Sequence, residues 1–170
     1  GDGYAPEGRF TSDELGGIVP LEQPELSHLL FCGLLCNDAI LQKEQGEWAI
    51  LGDPTEGALV VLAGKGGLNQ QYLLQQFDRV AEWAFSSERK RMSVVVRSPS
   101  HVQDLPDYLT DCPYWLLAKG SPELLLERCQ SIQQQQNAGP LSDATRAQIL
   151  SQNEAMAAQG LRVLGLASKP

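Results

Sequence analysis

The clearest hydrophobic pattern in the chain is a helical one near its start. Apolar side chains recur every three or four residues between 24 and 40, beginning with Leu26, Leu29 and Leu30. Pro24 suits the first turn of a helix, because that position makes no intrahelical N–H bond. The pattern therefore predicts a buried helix over residues 24–40.

Start and stop signals predict four more helices. Pro54 and Pro122 each stand where a first helical turn would begin. Ser142 is a suitable hydroxyl cap for the last helix, and Gly160 is a suitable stop. These predicted helices cover residues 54–63, 69–77, 122–129 and 142–159.

Short runs rich in β-branched and aromatic residues predict strands between the helices. Two of these runs are joined by a polar, charged loop at 86–91. The segment 98–111 contains two Pro and three Asp, and we expect it to be a surface loop. Because helices and strands follow one another without regular βαβ alternation, we expect an antiparallel sheet with helices packed on it, the α+β class. The predicted strands cover residues 46–51, 79–85, 92–97, 114–118 and 161–167.

The composition is that of an acidic chain with ordinary hydrophobicity. Its 170 residues favour one domain, and its net charge of -8 argues against nonspecific binding to DNA or RNA, which needs a basic field. No apolar run reaches the roughly 18 residues that span a bilayer. The four cysteines lack C-x-x-C spacing, which favours reduced thiols. Because the chain does not begin with Met, we expect it to be part of a larger protein.

One short stretch combines an aromatic side chain with a dense basic cluster. Phe85 is followed by Arg89, Lys90 and Arg91, and an isolated Lys119 comes after an apolar strand. A nucleotide would suit both features, since stacking on an aromatic ring contributes ~1–3 kcal/mol per base and Lys or Arg neutralises phosphate. Each feature also has an ordinary structural interpretation: the phenyl ring as core, and the basic cluster as a solvated loop.

Other phosphate and metal motifs in the chain are incomplete. The glycines at 52 and 57 have the spacing of a Walker A loop, but Ala-Leu follows where Lys-Ser or Lys-Thr should stand. His28, Cys32 and Cys36 lie four residues apart on one helix face, and three ligands in a straight row cannot surround one ion. We therefore interpret them as core residues and predict no metal site, with a zinc module as the minor alternative.

Four segments resemble, in order and spacing, the signature segments of the nucleotide-binding domain of P-type cation-transporting ATPases. The opening residues 4–8 are similar to those of P2-type calcium pumps of the sarcoplasmic-reticulum type and their bacterial relatives. The resemblance implies a twisted antiparallel sheet flanked by helices, with residues 1–170 forming one cytoplasmic domain of a membrane pump. The four segments are 52–59 (GDPTEGAL), 85–92 (FSSERKRM), 119–123 (KGSPE) and 161–167 (LRVLGLA).

The resemblance also implies roles for individual residues. Phe85 would stack on adenine, Glu56 would lie near the adenine amino group, and Lys119 would line the depth of the pocket. Lys90 and Arg162 fall where the family contacts the phosphates. The complete implied ATP-binding set is Glu56, Phe85, Lys90, Met92, Lys119, Gly120, Arg162 and Leu164, with Met92 and Leu164 flanking the ring.

The chain lacks the family's motifs for phosphorylation and dephosphorylation, Asp-Lys-Thr-Gly-Thr and Thr-Gly-Glu. No catalytic residue is therefore expected in this fragment, which should bind ATP, or Mg-ATP in the parent, without hydrolysing it alone. The resemblance implies that it presents the γ-phosphate to the Asp of a phosphorylation domain. The expected partners are that domain and the actuator domain of the same chain, and the fragment itself is expected to be soluble and monomeric.

Ser87 departs from the family pattern, because many of the similar calcium pumps carry Arg at that position. If residues 85–89 stay extended, Arg89 shares a face with Phe85 and could replace the missing phosphate contact. The alternative to a nucleotide-binding domain is a regulatory or protein-docking module of a larger enzyme. In that interpretation the basic loop 86–91 meets an acidic partner, and Phe85 belongs to the core.

Overall fold

The computed structural model describes residues 3–12, 16–102, 105–135 and 137–170. Helices and antiparallel sheets together give the α+β architecture that was predicted. Two single turns of 3-10 helix lie at Pro20–Glu22 and Asp107–Leu109. The regular elements are β1 (Phe10–Ser12), β2 (Gly16–Ile18), α1 (Pro24–Leu35), β3 (Ile40–Glu44), β4 (Glu47–Leu51), α2 (Pro54–Lys65), α3 (Gln70–Gln76), β5 (Asp78–Ser86), β6 (Arg91–Arg97), β7 (Tyr114–Gly120), α4 (Pro122–Leu126), β8 (Ser131–Gln134), β9 (Asn137–Pro140), α5 (Asp143–Ala158) and β10 (Gly165–Lys169).

A four-stranded antiparallel sheet with the order β10–β7–β6–β5 forms the centre of the fold. Met92 of β6 pairs with Lys119 of β7, and Lys119 pairs with Leu166 of β10. Side chains alternate between the two faces of a strand, and on β6 the buried Met92, Val94 and Val96 share one face. Three separate hairpins are formed by β1 with β2, β3 with β4, and β8 with β9.

The hydrophobic core lies where α1 packs against this sheet. Leu30, Phe31 and Leu34 of α1 are at most 1% exposed. The Phe31 ring meets Phe77 edge to face, with centroids 5.1 Å apart, an arrangement that aromatic pairs favour. We call the side of the sheet covered by α1 the core face, and the opposite side the open face.

The first helix ends at Leu35, earlier than predicted, because the Asn37 side chain redirects the backbone. Its amide nitrogen donates to the carbonyls of Gly33 and Glu56, both at 3.0 Å, and its oxygen accepts from Ala39 N at 2.9 Å. These bonds replace helical ones and lead the chain into β3. The apolar spacing alone could not reveal this strand, since its first residue continues the helical pattern.

The prediction of a surface loop at 98–111 is wrong for much of that segment. Val102, Leu105 and Leu109 are at most 6% exposed and belong to the core. The Trp115 indole donates to the Leu109 carbonyl at 2.9 Å and holds the segment against β7. Pro and Asp mark the turns correctly, but the apolar side chains between them cover the core.

The last strand begins later than predicted, at Gly165 rather than at residue 161. Helix α5 ends at Ala158, and Gly160, the expected stop, follows shortly after with a left-handed φ of 78°. The residues that follow, 161–164, are irregular. Arg162 therefore lies in the connection before β10 and not inside a strand.

His28, Cys32 and Cys36 pack as core residues. His28 Nε2 lies 2.6 Å from Ser168 Oγ, and the Cys32 thiol points at the carbonyls of Ala118 and Ala167. Burial raises the pKa of Cys36 to about 11 and lowers the pKa of His28, against a weaker opposing effect of a neighbouring carboxylate. Within the described ranges, no three His, Cys, Asp or Glu residues are grouped as metal ligands. No helix there has the length and apolarity to cross a membrane.

We predict that the free energy of unfolding decreases as the pH falls below about 6.5, the ordinary pKa of histidine. The pKa of His28 is lowered in the folded state, so the unfolded chain binds more protons below that pH. Urea denaturation at several pH values between about 7 and 5.5 measures the dependence. His28→Gln should flatten it, whereas the exposed His101→Gln should leave it unchanged. An unchanged slope in His28→Gln would contradict this assignment.

Candidate functional site

A buried ion pair joins the start of α2 to the central sheet. Glu56 Oε1 lies 2.5 Å from Lys119 Nζ. Lys119 is only 6% exposed, and the Glu56 side chain is 19% exposed. The ammonium makes this one charge contact and no further hydrogen bond to the described part of the chain. Because an ammonium carries three donors, Lys119 retains donors for a ligand.

The first turn of α2 is shaped by its cap. Asp53 Oδ1 accepts from the backbone N–H of Thr55 at 2.8 Å and of Glu56 at 3.2 Å, and Pro54 occupies the first turn. The pKa of Asp53 is lowered, chiefly by the hydrogen bond from Glu56 N and then by the hydrogen bonds from Thr55. The positive charge of Arg162 lowers it further, to a smaller extent. This cap fixes where the Glu56 side chain leaves the helix.

Arg162 reaches the same helix start from the connection before β10. Its Nη1 donates to Thr55 Oγ1 at 2.9 Å, and its side chain is exposed. Leu164, two residues later, is half-buried. Two basic side chains from distant parts of the sequence, Lys119 and Arg162, thus contact the first turn of α2, where the helix dipole also favours negative charge.

A β-bulge places Phe85 at the edge of this region. The pairing of β5 with β6 shifts register just before Ser86, so that two residues of β5, one of them Phe85, stand opposite Met92 alone. Bulges redirect side chains in this way. The phenyl ring is 59% exposed. The docking-module alternative required Phe85 in the core, and that requirement is wrong.

The strand register aligns Phe85, Met92 and Lys119 across the sheet. Since neighbouring strands are ~4.8 Å apart, the backbones at Phe85 and Lys119 are separated by roughly 10 Å. Met92 stands between them and is only 1% exposed, as part of the core. Little of its side chain is therefore accessible to a ligand.

Gly120 allows the β5–β6 turn to close onto the end of β7. A Cβ at this position would lie 2.2 Å from the Lys90 carbonyl oxygen and 2.7 Å from Arg91 Cα. The same carbonyl accepts a hydrogen bond from Ser121 N at 3.0 Å. Lys90 is exposed and has a left-handed φ of 52°. The turn that carries Lys90 is thereby fixed beside β7.

Arg89 does not take the place that was expected for it. Residues 87–90 form a turn, so Phe85 and Arg89 do not lie on one extended segment. The Arg89 guanidinium donates to two backbone carbonyls of β5 at 3.3 Å and to Ser93 Oγ at 3.1 Å. Because Ser93 alternates with Met92 on β6, Arg89 is directed to the open face of the sheet.

Asn37 and Asp38 also contact this site, although the sequence did not indicate them. Asn37 Nδ2 donates to the Glu56 carbonyl at 3.0 Å, and Asp38 N donates to Glu56 Oε2 at 3.3 Å. Both residues were placed in the predicted first helix. The pair Asn-Asp directly after an apolar helical run is a stop signal, and it could have indicated this turn.

Comparison with known proteins identifies the family to which the chain is similar. Residues 25–170 match the family model described as "P-type ATPase, cytoplasmic domain N". The chain is 34% identical over its whole length to a calcium-transporting ATPase of Bacillus subtilis and to calcium-transporting ATPase type 2C member 1 of Bos taurus, covering 18% and 16% of those proteins. It is 36% identical, over 92% of its length, to 14% of the sodium/potassium exporting P-type ATPase cta3 of Schizosaccharomyces pombe.

The chain thus spans less than a fifth of the length of these relatives. The family model covers all four signature segments, from 52–59 to 161–167, and the structure brings residues from each of them to one end of the central sheet. The alignment with each of these relatives covers at least 92% of the chain. The description of the family agrees with the expected cytoplasmic placement. The chain therefore belongs to the family of P-type ATPase cytoplasmic N domains.

Proposed function

We propose that this chain is the ATP-binding domain of a cation-transporting P-type ATPase, and that residues 1–170 act as a single domain of that larger protein. The proposal rests on one observation. The exposed ring of Phe85 and the buried ammonium of Lys119 are aligned across the central sheet, about two strand spacings apart. The Phe85 ring can stack on a flat ring of the ligand, and the Lys119 ammonium can bind a polar or charged ligand atom. Lys119 lies beside the first turn of α2, where it contacts Glu56.

The adenine end of the ligand is assigned to Phe85, Glu56 and Leu164. The exposed phenyl ring offers a stacking surface without rearrangement of the core. The Glu56 carboxylate can accept a hydrogen bond from the adenine amino group while it keeps Lys119 paired. Leu164 is half-buried and contributes apolar surface beside the ring.

The phosphate end is assigned to basic groups that have freedom to turn toward an anion. Arg162 is exposed, and its hydrogen-bond partner among the described residues is a hydroxyl, Thr55 Oγ1, at 2.9 Å. Lys90 is exposed at the turn held by Gly120. Neither side chain has a carboxylate within 4.0 Å in the described part of the chain. Exchange of a hydroxyl or water for phosphate oxygens gives stronger, charge-assisted bonds.

In this proposal the domain positions ATP, and the chemistry belongs to another part of the parent protein. Phosphoryl transfer depends mainly on positioning and charge neutralisation. The chain lacks Asp-Lys-Thr-Gly-Thr, so the γ-phosphate of Mg-ATP would be presented to the Asp of a phosphorylation domain. Calcium is the proposed transported ion, supported by the sequence of residues 4–8 and by the names of two relatives.

Binding by the isolated chain should be weak, since the ligand contacts only one of the domains that hold it in the parent. We expect a Kd of about 0.1–10 mM for ATP, which corresponds to about -3 to -5.5 kcal/mol. Titration of the 15N-labelled chain with ATP, followed by amide chemical shifts, measures it. Shifts should be largest along residues 85–92 and 119–123. The absence of saturable shifts there at about 20 mM ATP would refute the proposal.

Phe85→Ala should weaken ATP and adenosine alike by at least about fivefold, because stacking contributes ~1–3 kcal/mol. The matched control is Trp83→Ala, which removes a similarly exposed aromatic side chain from the same strand. Trp83 pairs with Ser93 and lies toward the open face, so its loss should leave both affinities unchanged. Equal effects of the two variants would contradict the role of Phe85.

Arg162→Ala should weaken ATP by roughly fivefold and leave adenosine nearly unchanged, since its charge acts on phosphate. Arg97→Ala is the control, because Arg97 is an exposed sheet arginine already paired with Asp78 at 2.5 Å. The same chemical-shift titration, performed with both ligands, measures the ratio. Parallel losses for ATP and adenosine in Arg162→Ala would show that the residue acts through the fold.

A further inference from the structure

The open face of the central sheet carries a groove of about 770 Å³. Its floor is formed by small and apolar side chains of β6, β7 and β10, which alternate with those of the core face. The end of α4 and the segment that follows it, from Leu125 to Ser131, form one wall. Two large apolar side chains in the groove, Trp83 and Leu116, are 51% and 38% exposed. We call this feature the open-face groove.

Three guanidinium groups, those of Arg89, Arg91 and Arg128, lie together along the groove. Desolvation lowers the pKa of Arg91, and repulsion from Arg128 and Arg89 lowers it further, so Arg91 lies within electrostatic reach of both. Lys169 adds a fourth positive charge to the lining. Repulsion of this kind destabilises the folded chain unless an anion compensates it.

The arginines of the groove have no carboxylate partner among the described residues, within the 4.0 Å of an ion pair. A shortage of acidic residues does not explain these missing partners, since the chain has 21 Asp and Glu against 13 Lys and Arg. Two other sheet arginines do have such partners: Arg79 contacts Asp38 and Glu82, and Arg97 contacts Asp78. The described part of the chain therefore leaves the positive charge of the groove without a carboxylate partner.

We propose that the open-face groove binds an acidic peptide segment of a protein partner. Its carboxylates would pair with Arg89, Arg91 and Arg128, whose forked donors match a carboxylate. An apolar side chain of the same segment would cover Trp83 and Leu116. Arginine and aromatic side chains are the residues enriched at the centres of protein interfaces.

The shape and charge of the molecule favour a peptide over other polyanions. Because the net charge of the chain is -8, its surface as a whole repels nucleic acids and anionic membranes. A groove that confines its positive charge to a few side chains can still admit a single acidic strand. The site lies on the face opposite to Met92, so this inference does not rest on the proposed ATP site.

The test is a chemical-shift titration of the intact chain with a synthetic decapeptide of alternating Glu and Leu that carries one central Phe. Shifts are expected in the alternate residues of β6 and β7 that line the groove, such as Ser93 and Ala118. Arg128→Ala should weaken binding by roughly fivefold, as expected for one partly exposed charge pair. Arg97→Ala, whose charge is already paired, should not weaken it. Binding should also weaken with added salt.

Four outcomes would overturn the inference. The first is the absence of saturable shifts, and the second is equal binding of a peptide with Lys in place of Glu. The third is competition by ATP with shifts confined to residues 119–123, which would assign the peptide to the core-face site. The fourth is that the acidic peptide does not bind, but the chain binds phosphatidylserine vesicles or self-associates, and Arg128→Ala abolishes that binding or self-association. ATP binding should be the same in Arg128→Ala and wild type, so the two proposals fail independently.

Discussion

The ion pair between Glu56 and Lys119 is the contact on which the arrangement of the site depends. A buried ammonium is costly unless a charge or hydrogen-bond partner compensates it, and in the described structure Glu56 is the partner. The first turn of α2 must therefore stay beside the end of β7. Because Arg162 also contacts that turn through Thr55, the pair brings three segments that are distant in the sequence into one site.

The β5–β6 connection serves both faces of the central sheet. Phe85 stands opposite Met92 and is proposed, with Lys90, for the ATP site, whereas the Arg89 guanidinium bonds Ser93 on the open face. Gly120 makes this possible, since the Lys90 carbonyl occupies the space that a Cβ would take. A single basic cluster in the sequence thus becomes two groups of charges with different surroundings.

The proposed role of the chain is to hold and position a ligand. The chain spans less than a fifth of its relatives. Rigid elements carry three side chains of the site: the capped start of α2 carries Glu56, the bulge of β5 carries Phe85, and the paired strand β7 carries Lys119. Side chains on such elements lose little freedom when a ligand binds, which would favour the proposed binding of ATP.

Local signals in the sequence determined much of this structure. Proline and cap residues located α2, α4 and α5, and β-rich runs located β5, β6 and β7, because these preferences act within a few residues. The signature segments likewise identified the family and the residues proposed for the site. Only the tertiary structure decided that Asn37 binds the Glu56 carbonyl, that Val102 and Leu109 enter the core, and that Arg89 turns to the open face. The first two depend on partners far away in the sequence, and the third depends on how β5 pairs with β6, and a local pattern specifies neither.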